Sequence, residues 1–265
     1  MIALLAAAAA LTVHGDRLFV AATINGTATE AVLDSAAEAT LLDDGFAGRI
    51  GLARGRDVTA RGSGGKADAQ LIEHVRVEAA GVTVPDTTVG VLDLDDLGKR
   101  LFGHPLDAIV GRDLFDAARF RIDIEGGTID AVPRTIAPRG VRLPLTTAHG
   151  IETVPISIEG SPPVQAEFDL GNGSDMLIGK AYAARTGLLK RVHATEQGGG
   201  IGGAVPRKIV TLMSVRIAGV TFRNVRAAID EQSNAADANI GVKLLRRFKI
   251  TTDFAQKAVW LEPRR

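Results

Sequence analysis

The chain of 265 residues is written twice, and this repetition restricts its possible folds more than any other feature. Asp34 and Asp169 stand 135 positions apart, each at the end of an apolar run: "EAVLDSAAEATLL" at 30–42 and "VQAEFDLGNGSDMLI" at 164–178. "AGVT" occurs at 80–83 and again at 218–221, preceded by "VRV" and then by "VRI". Gly51-Leu52 recurs as Gly187-Leu188. The closing stretch "GRDLFDAARFRIDIEGGTIDAVP" (111–133) aligns without gaps with "GVKLLRRFKITTDFAQKAVWLEP" (241–263), pairing Gly111 with Gly241, Asp123 with Asp253 and Pro133 with Pro263. Landmarks in one order at nearly constant spacing mark a tandem duplication. The proline- and glycine-bearing "VPRTIAPRG" (132–140) is its connector.

Each unit reads mostly as β-structure. "LFVAATINGTATEAVLD" is an apolar run, an Asn25-Gly26 turn and a second strand, and "VPISIEGSPPVQAEFD" repeats it around Glu159-Gly160. Helix-like stretches are predicted over 41–50 and 178–186, with Gly51 and Gly187 as C-terminal caps. A glycine-rich segment follows, "RGSGGK" (61–66) or "QGGGIGG" (197–203), and then the AGVT hairpin. An apolar strand ending in glycine ("AIVG", 108–111; "ANIG", 238–241) leads through a short helix to a final strand. The expected fold class is all-β, with two tandem barrel-like lobes carrying short helices.

Burying a lone carboxylate at the end of an apolar strand is costly unless another group shares or solvates its charge. The equivalent positions of Asp34 and Asp169 suggest that they meet at a pseudo-twofold axis. A carboxylate pair about 3 Å apart shares one proton and titrates as a unit. The ionised member can take a proton from a water while the other polarises a scissile carbonyl. Either aspartate alone would read as a turn or capping residue satisfied by local amides. Small residues after each one let two backbones approach and aim N–H groups at the carboxylates.

The order of hairpin, aspartate motif, glycine-rich segment, apolar strand and helix resembles the retropepsin-type aspartic proteases, here as two copies in one chain. It is similar to the bacterial aspartyl-protease-like proteins whose lobes end as "LLRRF…TTDF…LEP" does at 244–263. The resemblance runs from about Gly15 to the C-terminus and implies a bilobal pepsin/retropepsin-like fold. It carries over Asp34 and Asp169 as the catalytic pair, Ser35 as a hydroxyl bracing the two loops, and Gly171 as the glycine of close approach. Ala36 stands where that family has glycine, and Leu170 where it has a hydroxyl residue. The resemblance also implies that Gly62, Ser63, Gly64 and Gly65, with Gly200, Ile201, Gly202 and Gly203, form flaps over an extended peptide substrate. The activity implied is that of an aspartic endopeptidase needing no metal or cofactor; the alternative is a peptide-binding scaffold that keeps the fold without turnover. A chain paired internally in this way is expected to be a monomeric pseudo-dimer.

Other chemistries find little support. With 31 basic residues against 31 acidic and few aromatics, neither a nucleic-acid field nor a base-stacking platform is expected. Cysteine is absent, which removes thiolate catalysis and cysteine-ligated metal. The five histidines are scattered, and no G-x-S-x-G occurs. The G-x-G-x-x-G at 198–203 lacks a preceding apolar strand, and Pro206 follows where a helix should begin, so it reads as a hairpin tip. "DLDDLG" (93–98) reads as a solvated acidic turn, since His104 stands where a calcium loop needs its bidentate glutamate. The opening "MIALLAAAAALTVHGD" suits a secretory signal, with a cleavage site near Ala8 or Ala10. Residues 1–14 are therefore set outside the fold as a signal remnant, the lobes are placed at 15–135 and 136–265, and export to the periplasm or beyond is expected. The alternative for this segment is a first β-strand extended by an alanine tract.

Overall fold

The computed structural model describes residues 8–232 and 235–264. Each copy is organised by tight hairpins at the expected positions. Asn25 and Gly26 take φ of 47° and 84°, as a two-residue type I′ turn requires, and join strands Arg17–Ile24 and Thr27–Leu33. Ala80-Gly81 and Ala218-Gly219 also adopt positive φ, closing the long hairpins 65–92 and 203–230. Strand 27–33 then runs parallel to Ala108–Val110, and its counterpart Val164–Phe168 runs parallel to Ala238–Ile240.

The two copies are joined by a sheet with its own symmetry. Strand Phe120–Asp123 of the first copy pairs antiparallel with Phe248–Asp253 of the second. Arg121 faces Thr251 across the ladder, and these residues are equivalent in the 130-residue alignment, so the pseudo-twofold axis passes between them. Strands 128–131 and 258–263 flank this centre, and strands 9–14 and 141–144 lie outside them. Ion pairs are exchanged across the same seam: Arg134 of the first copy binds the buried Asp253, and Arg264 binds Asp123. Burial opposes the charge on Asp253, but hydrogen bonds from Arg134 and Arg119 outweigh it and hold its carboxyl below the usual range. Phe115, Phe120 and Phe254 pack together at the centre of a hydrophobic core that runs continuously through both copies.

Three sequence expectations are corrected. Residues 9–14 do not stand outside the fold: Ala9–His14 is a strand paired with 128–129 and with 17–20, equivalent to 143–148 of the second copy. A lobe boundary at residue 15 therefore leaves out a strand paired with the lobe, while residues 1–7 lie outside the described residues. The stretches 41–50 and 178–186 are not helical throughout. Leu41–Asp43 and Met176–Gly179 are short strands parallel to the hairpin strands, and the helices are Asp44–Arg49 and Lys180–Arg185. The acidic "DLDDLG" segment is the start of helix Asp95–Phe102, whose Asp95 and Asp96 pair with Lys99 and Arg100 one turn on.

Candidate active site

Two matched loops carry the aspartates. Asp34 N–H donates to Val110 O (3.0 Å), and Asp169 N–H donates to Ile240 O (3.2 Å), so each loop hangs from the glycine-ended strand of its own copy. Oδ1 of Asp34 accepts from the N–H groups of Ala36 (2.8 Å) and Ala37 (3.0 Å). Oδ1 of Asp169 accepts from Gly171 and Asn172, both at 2.9 Å. Ala36 holds φ negative, so its methyl group is accommodated without backbone strain. Gly171 has no such freedom. A Cβ there would lie 2.3 Å from Cγ of Asp34, which places the Asp34 carboxylate against the residue whose N–H binds Asp169.

Ser35 ties the loops together. Its buried hydroxyl donates to Phe168 O (2.7 Å) and accepts from Leu170 N–H (3.0 Å), both in the opposite copy. Leu170 has no hydroxyl to return the contact and lies wholly in the core, so the brace is built from one side.

Both carboxylates are half-buried at the floor of a cleft of about 680 Å³, and both are harder to ionise than usual. Burial, followed by the negative charge of Asp169, pushes the Asp34 pKa up to about 7. Burial also raises Asp169, but it is opposed by an amide that Asp34 lacks. Asn239 Nδ2 donates to Asp169 Oδ2 (2.7 Å) and to Glu167 Oε2 (2.8 Å). Asn239 Oδ1 in turn accepts from Asn172 Nδ2 (2.7 Å), whose own Oδ1 is held by Ser174. Burial pushes Glu167 up to about 7 as well. Arg17 lines the same cleft, and its positive charge favours ionisation of both aspartates.

The glycine-rich segments are hairpin tips that meet above this floor. Gly62 pairs with Gly65 in one and Gly200 with Gly203 in the other. Gly64 N–H donates to Ile201 O (3.0 Å) across the lobes. Arg207 Nη2 holds Ser63 O, and Arg100 Nη2 holds Gly200 O, each at 3.0 Å, so each tip carbonyl is gripped by an arginine of the other copy. A Cβ on Gly64 would lie 2.1 Å from Gly203 O, which is why the tips are glycines.

The residues singled out in the sequence converge: Asp34, Ala36, Asp169 and Gly171 line the floor, Ser35 and Leu170 are buried within the loops that carry the aspartates, and both flap segments form the roof. Arg17, Asn172, Glu167, Asn239, Arg100 and Arg207 were not singled out. The only sequence signal for Glu167 and Asn239 was their mismatch with Val32 and Ile109 in the other copy.

Residues 20–114 and 154–244 match the model of a family described as aspartyl protease. Among solved structures, the chain is similar to a retropepsin-like aspartic protease from Rickettsia conorii at 22% identity and a TM-score of 0.38, over 46% of this chain and 88% of that one. No curated protein matches it.

Proposed function

Since the chain belongs to the aspartyl protease family, we propose that it is an endopeptidase in which Asp34 and Asp169 activate one water between them. The observation that carries this reading is the Ser35 brace, which fastens the two aspartate loops into one unit across the duplicated seam.

The roles within the pair follow from their unequal surroundings. Asp169 receives one more hydrogen bond to its charged form, from Asn239, so it is the ionised base. Asp34, raised by burial and by its neighbour's charge, holds the shared proton. Asp169 takes a proton from the water as the water oxygen attacks the peptide carbonyl, and Asp34 gives its proton to the carbonyl oxygen. The tetrahedral diol then collapses: one hydroxyl returns its proton to Asp34, and Asp169 protonates the departing nitrogen, which restores the starting charges. Activity requires one proton on the pair, which places the working range below the neutral limit set by Asp34.

The substrate lies extended beneath the flap tips, with its backbone paired to their strands. Seating it requires the cross-lobe tip hydrogen bonds made by Gly64, Arg207 and Arg100 to open. The test is a pH-scanned cleavage assay on a mixed peptide library, comparing the wild type with Asp34→Asn and Asp169→Asn. Comparable loss in both variants is expected. Persistent cleavage in either one refutes the pair. The one-sided brace at Leu170 favours a second reading, a peptide-binding protein without turnover, which predicts retained binding and no cleavage by the wild type at any pH.

A further inference from the structure

The duplication supplies an internal control for the cleft walls, because each wall position has a register-matched partner in the other copy. Where Val32 pairs with Ile109 in the first copy, Glu167 pairs with Asn239 in the second. The flap ladders close at Gly65 and Gly203, and four residues further along stand Ala69 and Arg207. Strand 82–92 ends on Leu92, and strand 220–230 ends on Asp230. Four apolar positions in one copy are charged or amide-bearing in the other.

Helix 95–102 deepens the contrast. Leu97, Leu101 and Phe102 join Val32 and Ile109 in a separate apolar cluster, onto which Ile201 of the opposite flap also packs. The matching connection in the second copy, 231–237, is eight residues shorter than 93–107. On that side Arg207 is 8% exposed. Its Nη2 holds Ser63 O, while its buried Nε has no hydrogen-bond partner among the described residues. An apolar group packed there would strip water from Glu167 and Arg207 without replacing its hydrogen bonds. An acceptor oxygen would satisfy Nε.

We propose that the cleft reads two unlike side chains flanking the scissile bond: a bulky apolar one against Val32 and Ile109, and one bearing an acceptor oxygen, amide or carboxylate, against Arg207. This specificity rests on the peptidase reading of the same site. A symmetric apolar cleft would accept the same residue on both sides. This one discriminates by the hydrogen bond it offers, and such sites reject analogues lacking the acceptor more strongly than apolar pockets reject a changed methylene.

The test uses binding, so that it does not depend on turnover. Peptides with a non-cleavable reduced-amide link at the central bond carry Leu on one side and Gln, Glu, Leu or Lys on the other, in both orders, and are titrated into the full chain by fluorescence polarisation. In one of the two orders, the Gln or Glu peptide binds at least about tenfold more tightly than the Leu–Leu peptide. The Gln and Glu arms separate amide from carboxylate recognition. Arg207→Leu, checked for folding by near-UV circular dichroism, abolishes that margin, and Glu167→Val shifts preference toward Leu–Leu as a second variant. Equal or tighter binding of the Leu–Leu peptide, a preference for Lys, a margin that survives in Arg207→Leu, or no binding by any peptide overturns the proposal. Failure of the peptidase reading shows separately, as cleavable versions of the same peptides that bind but stay intact.

Discussion

Replacing Asp34 with asparagine should make the protein more stable, by an amount that grows from about pH 4 and levels off above about pH 7. In the folded chain the Asp34 pKa lies at about 7 against an ordinary value of 3.8, chiefly because the group is buried and secondly because Asp169 is charged. The folded state therefore binds this proton more tightly than the unfolded chain does. Stability falls as pH rises from about 4 to about 7 and stays low above that. A shift of about three units corresponds to about 4 kcal/mol at 1.36 kcal/mol per unit, and partial solvation in the cleft reduces this to roughly 2–4 kcal/mol. Asparagine keeps an acceptor for the N–H groups of Ala36 and Ala37 and carries no charge at any pH. For a chain of this size the gain corresponds to about 4–8 °C in Tm at pH 8, falling to about zero at pH 4. Differential scanning calorimetry at the two pH values reads it directly. An Asp34→Asn variant that melts no higher than the wild type at pH 8, or gains equally at pH 4, refutes the claim that Asp34 is held protonated by its surroundings.

Ser35→Ala leaves Phe168 O and Leu170 N–H without their cross-lobe partner, so chemical denaturation should show a loss of about 1–3 kcal/mol, and kcat should fall roughly 10–100-fold. Gly171→Ala drives a methyl group into the Asp34 carboxyl. Peptide cleavage should drop about 100-fold while circular dichroism stays that of the wild type, because the displacement is confined to the loop. Arg17→Met removes a positive charge that favours ionisation of both aspartates, so both limbs of the pH–activity profile should move to higher pH.

What the sequence made legible were the local and the repeated features. Asn25-Gly26 declares its turn because two consecutive positive φ values admit few residue pairs, and the hairpins closed at Ala80-Gly81 and Ala218-Gly219 were marked by their repetition. The aspartates were found because the duplication placed each at the end of an equivalent strand. The seam sheet was not legible: the pairing of Arg121 with Thr251 joins strands far apart in the chain and leaves no local signature. Strand 9–14 was legible only as the alternative to a leader, because its alanines suit a signal segment as well as a ladder partner of Ile129. Leu41–Asp43 merged into the helix behind it because a three-residue apolar strand carries no period of its own. Asn239 and Arg17 escaped because they reach the aspartates only through the fold: Arg17 opens a strand that bears no motif, and Asn239 sits in a strand read only for its apolar residues and closing glycine.

The most direct test of the whole account is a ¹³C NMR titration of the Asp34 carboxyl, in the wild type and in Asp169→Asn. If the two groups face each other across the seam, Asp34 titrates near 7 in the wild type, and removing its neighbour's charge lowers that value by roughly one unit or more while burial keeps it above 3.8. An Asp34 that titrates identically in both proteins would mean that the two carboxyls do not act as a pair.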